Sequence, residues 1–157
     1  MTTLKSLFFL VLVPGMLIGY FPYLISTTDS ELFATGVIAY LAFPLWLIGG
    51  VSMLWCFWNF LVNGKGTPAP IDPPKELVDV GLYRFVRNPM YVAGIVALIG
   101  WILWSPSLPL IVAPFVFFIA AHLFVISYEE PTLGKKFGAA YADYFKRVPR
   151  WIPRLPK

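Results

Sequence analysis

Between residues 81 and 91 the chain reads Gly-Leu-Tyr-Arg-Phe-Val-Arg-Asn-Pro-Met-Tyr, a glycine turn that leads through two arginines into a proline-started helix. Pro89 at the first turn costs no hydrogen bond, because an N–H there has no partner within the helix. The unpaired amides and partial positive charge of such a helix start, joined by Arg87 and Asn88, could hold a carboxylate or a phosphate. The same residues also serve as a plain positively charged helix start, with arginines snorkelling to water. A second constellation, Glu129 and Glu130, closes an apolar run. There the helix dipole is negative and an acidic group costs roughly 0.3–1 kcal/mol. Arg84, Arg87, Lys135 or Lys136 can offset that placement as ion pairs, and so can a ligand that is cationic or rich in hydroxyls and amines. His122, the only histidine, precedes Glu129 by about two turns on nearly the same helical face. A polar ring inside an apolar segment serves either an interhelical hydrogen bond or catalysis.

These residues sit in a chain that is 59% hydrophobic and only 13% charged, with a mean hydropathy of +0.74. That mix is expected of a helix bundle surrounded by lipid, not of a water-soluble globule. The net charge of +4 comes from basic residues that flank apolar runs, where topology and anionic lipid explain them without nucleic acid. Cys56 is the single cysteine, which rules out an internal disulfide or a cysteine metal cluster and suits a packing residue. No metal site is expected. The sequence has no GxGxxG, P-loop, HExxH or GxSxG pattern, so the soluble cofactor and hydrolase sites that these mark have no support.

The elements that must position the site are legible as apolar runs. A single domain over 1–157 is expected, all-α, a polytopic membrane bundle of about four transmembrane helices. The spans fall at about 7–25, 36–62, 89–104 and 108–128, each near the length needed to cross about 30 Å of hydrocarbon. Lys5 before the first run also suits a signal peptide, but no small-x-small cleavage site follows, which favours a retained helix. Residues 63–88 form a polar loop with Gly64, Gly66, Pro68, Pro70, Pro73 and Pro74, too rich in breakers for a long helix. Its later apolar residues, Leu77, Val78, Val80, Leu82, Tyr83 and Phe85, predict an ordered loop. Ser105, Pro106 and Ser107 predict a tight helical hairpin. The tail, 129–157, spaces Leu133, Phe137, Tyr141, Tyr144 and Phe145 at a helical interval with basic flanks, which predicts an interfacial amphipathic helix. Every Lys and Arg falls in the N-terminus, the long loop or the tail, whereas the connection after the first span holds Asp29 and Glu31. Both termini are therefore expected on the cytoplasmic side, with loop and tail gathered there. No internal repeat and no mid-span charge suggests a transporter.

At these residues the chain resembles the integral membrane methyltransferases of the isoprenylcysteine carboxyl methyltransferase and phospholipid methyltransferase superfamily. The resemblance rests on Gly81, Tyr83 and Arg84, on Arg87, Pro89 and Tyr91, and on Glu129 with Glu130. Phe137, Gly138, Tyr141, Tyr144, Val148, Pro149, Arg150 and Pro153 follow in the order that the family shows. It implies a non-Rossmann pocket for S-adenosylmethionine at the cytosolic membrane face; the brevity of the chain makes a bacterial inner membrane the expected location. Gly81, Tyr83, Arg87, Asn88, Pro89, Tyr91, Glu129 and Glu130 would bind the cofactor, with Arg87, Asn88 and Tyr91 at its amino-acid end or adenosine and the glutamates at amino or ribose groups. Tyr141, Tyr144 and Arg150 would face the acceptor, a lipophilic small molecule or lipidated substrate. The eukaryotic isoprenylcysteine enzymes carry histidine where Asn88 stands and arginine within the stretch equivalent to 124–128, so the acceptor stays open.

The expected reaction is methyl transfer to a lipophilic carboxylate or amine. Arg87, Glu130 and His122 are the candidate catalytic residues. A carboxylate is already ionised at neutral pH, whereas an amine must lose a proton to a base such as Glu130 or His122. Two rivals are an NADPH-dependent membrane reductase of the sterol reductase type, which resembles the same C-terminal pattern, and a non-catalytic membrane interaction protein.

Overall fold

The computed structural model describes residues 11–28, 30–65 and 74–155, and among these every regular element is helical. Lys5, Asp29, Gly66, Pro68, Pro70, Pro73 and the first residues of the first expected span lie outside the described residues. Helix α1, Leu12–Thr28, opens on a π-helical stretch that carries Pro14. Pro22 has no N–H to offer the Ile18 carbonyl; the indole N–H of Trp101 donates to that oxygen at 2.8 Å instead. The aromatic ring that bonds the proline site thereby ties α1 to the next-but-one helix.

Helix α2, Gly36–Val62, begins with a 3-10 turn and becomes α-helical at Ala42. Helix α3, Pro89–Trp104, starts where the proline predicted it. The two pack closely because small residues face each other: a Cβ on Gly49 would lie 2.8 Å from the Ala93 carbonyl oxygen. Backbones that approach this far exchange side-chain bulk for dispersion contact, the mode by which apolar helices associate where water gives no drive. The hairpin at Ser105–Ser107 leads into α4, and the Pro106 carbonyl accepts from the Leu32 amide at 2.9 Å.

Helix α4, Leu108–Phe137, runs on without a break past residue 128, where the fourth expected span ends and the tail begins. Pro131 cannot donate to the Ser127 carbonyl, and its ring would crowd that turn. The helix passes it through a π turn, Val125–Glu129, and then continues. Gly138, at φ +53°, ends it. Helix α5, Ala139–Arg147, is amphipathic as predicted, but its aromatic face meets protein: Tyr141, Tyr144 and Val148 cluster with Leu77, Leu133 and Phe137. After α5 the chain runs back along the loop, with Arg87 N–H bonded to the Pro149 carbonyl at 2.8 Å and Arg154 N–H to the Phe85 carbonyl at 3.0 Å.

Helices α2 and α4 are long and apolar enough to cross a membrane, while α1 and α3 are shorter apolar helices. The outward faces of the long pair are greasy; Leu47, Trp58, Phe115 and Val116 each keep more than half their surface exposed. A soluble core helix would bury such side chains.

Candidate active site

The loop before α3 is shaped by Gly81. Its φ of +59° is costly for an L side chain, and a Cβ there would lie 2.6 Å from Asn59 Nδ2. Only glycine lets the turn Gly81–Arg84 rest against α2. Tyr83, buried by this turn, packs with Cys56 and Val78, and its carbonyl accepts from the Tyr144 hydroxyl at 2.9 Å. Burial pushes both phenols above their ordinary range.

From that turn the chain delivers Arg87 beside Glu130. Arg87 Nη1 lies 2.9 Å from Glu130 Oε1, and Arg150 forks the same carboxylate, with Nε and Nη2 each donating at 2.8 Å. The Arg150 charge is reinforced by those hydrogen bonds to Glu130, which raise its pKa. Arg87 also lies 3.9 Å over the Phe145 ring. Its side chain is only 8% exposed, yet neither Nε nor Nη1 makes a hydrogen bond, the contact with Glu130 being off-line. Buried donors of this kind are rare because each forfeits the solvation it had in water.

Arg87 and Asn88 form part of the wall of a cavity of about 530 Å³, together with Tyr83, Tyr91, Glu129 and Tyr144. Glu129 Oε1 accepts from the Tyr91 hydroxyl at 2.9 Å. Away from this polar end the wall is apolar, formed by Leu17 and Ile18 of α1, Met53 of α2 and Phe117 of α4. Such a size and mixture are those of small-molecule sites, which run from roughly 300 to 1,000 Å³ with few polar groups.

The sequence-predicted residues therefore divide. Arg87, Asn88, Tyr91, Glu129, Tyr83 and Tyr144 line the cavity; Gly81, Pro89, Glu130, His122, Tyr141 and Arg150 are not in its wall. Gly81 and Pro89 set the backbone that presents the first group. Asn88 also donates through Nδ2 to the Arg150 carbonyl at 3.1 Å, which joins the α3 start to the tail. Tyr141, its phenol pushed up by burial, packs in the α5 cluster. His122 Nδ1 accepts from the Trp151 indole at 3.1 Å and stacks on Phe118. The π turn between His122 and Glu129 widens the helix over five residues and so shifts the face alignment that regular spacing predicted. Sequence reasoning missed Trp151, which also meets Tyr91 edge-on with centroids 6.2 Å apart, and it missed the α1 wall, whose residues carry no polar signal. No group of histidine, cysteine or acidic side chains among the described residues could hold a metal ion.

The chain is similar in sequence to several known proteins. The chain is 30% identical over 105 residues to the nickel-cobalt-cadmium resistance protein NccN of Alcaligenes xylosoxydans, covering 67% of this chain and 45% of that protein. It is 35% identical over 78 residues to methanethiol S-methyltransferase 2 of Bradyrhizobium diazoefficiens, covering 47% and 27%. With the protein-S-isoprenylcysteine O-methyltransferase of Schizosaccharomyces pombe it shares 32% over 87 residues, covering 51% and 34%. The chain thus spans less than half the length of these three relatives. The sequence profile of phospholipid methyltransferases matches residues 37–140, most of the chain and both halves of the site, so the chain belongs to the phospholipid methyltransferase family.

Proposed function

We propose that the protein transfers a methyl group from S-adenosylmethionine to a lipophilic, membrane-borne carboxylate or amine. In this reading all four apolar helices cross a bacterial inner membrane, both termini face the cytoplasm, and the cavity opens at the cytosolic side. The single observation that carries the reading is the two-ended cavity: a buried, incompletely bonded guanidinium and a carboxylate at one end, apolar wall at the other. An amino-acid and nucleoside ligand offers the complementary groups, a carboxylate for Arg87 and amino or hydroxyl donors for Glu129. When bound, S-adenosylmethionine supplies an electrophilic methyl group on a sulfonium.

The chain's own residues then bind, orient and dehydrate. Arg87 meets the anionic end with the N–H groups that have no protein acceptor. Tyr91 holds Glu129 in one orientation through its hydroxyl. Arg150 and Glu130 lie behind Arg87 and keep it from swinging out. The apolar wall admits an acceptor from the bilayer and excludes water, so positioning and desolvation provide the acceleration.

Titration of the detergent-purified protein with S-adenosylhomocysteine and with NADPH, followed by calorimetry or thermal shift, tests this. Binding of S-adenosylhomocysteine alone is expected. Binding of NADPH alone would establish the reductase reading, and binding of neither would favour a non-catalytic role. Label transferred from a radioactive methyl donor into a lipid extract would then identify the acceptor.

A further inference from the structure

A second recess, of about 560 Å³, lies on the other side of the α5 and loop junction and is lined by Arg84, Lys146, Arg147 and Arg154 with Asp79 as its acidic member. Asp79 sits 3.9 Å from Arg147, and both side chains are about half exposed or more, which makes a weak pair. Arg84, Lys146 and Arg154 have no carboxylate partner among the described residues. The fold nevertheless gathers them deliberately: the Tyr144 hydroxyl pins α5 to the Tyr83 carbonyl, and the Arg154 amide is fixed to the Phe85 carbonyl. Three cations that line one recess repel one another unless an anion joins them.

The rim shows which anion. Leu155, 84% exposed, lines the recess, and Ile152, 75% exposed, lies two residues before Arg154. Exposed aliphatic side chains beside unpaired cations suit a membrane interface, where apolar groups enter the acyl boundary and the cations meet headgroup phosphate. A nucleic acid or a free phosphate would leave both side chains in water. We propose that this recess binds the phosphodiester of an anionic phospholipid from the leaflet next to the loop and tail. The proposal rests on the membrane placement given above but not on methyl transfer. Arginine forks suit phosphate oxygens bidentately, and the bound lipid would fasten the tail, and so Arg150, against the bundle.

The test is titration of the full chain in a neutral detergent with dioctanoyl phosphatidylglycerol, dioctanoyl phosphatidylcholine and glycerol phosphate. Phosphatidylglycerol alone is expected to bind, more weakly as salt rises from about 0.05 to 0.5 M. The triple variant Arg84→Gln/Lys146→Gln/Arg154→Gln should bind it roughly a hundredfold more weakly, about fivefold per cation. Removing the same charge elsewhere, Lys75→Gln/Lys135→Gln/Lys136→Gln, should leave it unchanged. Equal weakening by both variants, or equal binding of phosphatidylcholine, would overturn the proposal. So would equal binding of glycerol phosphate, which would make the ligand an aqueous anion. Should the first variant fail to fold, the headgroup and salt arms on the unaltered protein decide alone. Protein that binds the lipid but not S-adenosylhomocysteine would remove the methyl-transfer reading and leave this one standing.

Discussion

Glu130 stands between two guanidinium groups, and its surroundings, more than its sequence neighbours, define what it can do. Both of its oxygens accept from Arg150, and one also faces Arg87. A carboxylate so occupied is a poor proton acceptor for a substrate and a strong structural tie. Glu130→Gln should lower stability by about 1–3 kcal/mol, since it leaves the buried Arg87 and the part-exposed Arg150 without their counter-charge; thermal unfolding in detergent measures this, and an unchanged midpoint would refute the tie. Glu129, by contrast, faces the cavity. The glutamate pair was legible in the sequence, but the division of labour within it was not, because it depends on Arg150 reaching back across 20 residues. His122 is a similar case. Its bond to Trp151 could not be read from spacing, and it points to positioning of the tail. His122→Ala should reduce label transfer to a carboxylate acceptor less than tenfold, against the 10²–10⁴-fold typical of a lost acid or base. A loss in that larger range would make the imidazole a base.

The start of α3 shows how one glycine and one proline can position an arginine. Pro89 ends the loop and Gly81 bends it, and both are visible as residue types in the sequence. Gly81→Ala should cost about 1–2 kcal/mol for the left-handed backbone alone, and more for the approach to Asn59 Nδ2. The expected readout is a lower melting point with weaker ligand binding, since the turn carries Arg87. An alanine variant of unaltered stability would show that the turn relaxes freely. Elements were legible where breakers coincide with changes in hydropathy: 36–62 and 89–104 match the helices found. The continuation of α4 past Tyr128 was not legible, because Pro131 ordinarily ends a helix and here is absorbed by a π turn. The fate of α5 was half legible; periodicity shows an apolar stripe but not whether lipid or protein will cover it.

On the scale of the molecule, two segments distant in sequence are closed over one cavity by a strap with little helix of its own. Residues 149–155 hold the loop before α3 through two backbone hydrogen bonds, take a third from Asn88, and carry both Arg150 and Trp151 to the helices. The helices themselves meet without the strap: α2 and α3 pack at Gly49, and α3 packs against Phe117 of α4 at Gly94. Bundle and site should therefore separate in a chain ended at Val148. The helical circular dichroism signal is expected to persist, because the apolar helices keep their neighbours. Affinity for S-adenosylhomocysteine should fall at least about tenfold, since the Arg87–Glu130 pair keeps Phe145 but loses Arg150 and the Pro149 carbonyl, and a loss of only 1.4 kcal/mol of preorganisation suffices for that factor. Full affinity in the shortened chain would mean that the loop and α4 alone define the cavity; collapse of the helical signal would mean that the strap holds the bundle as well as the site.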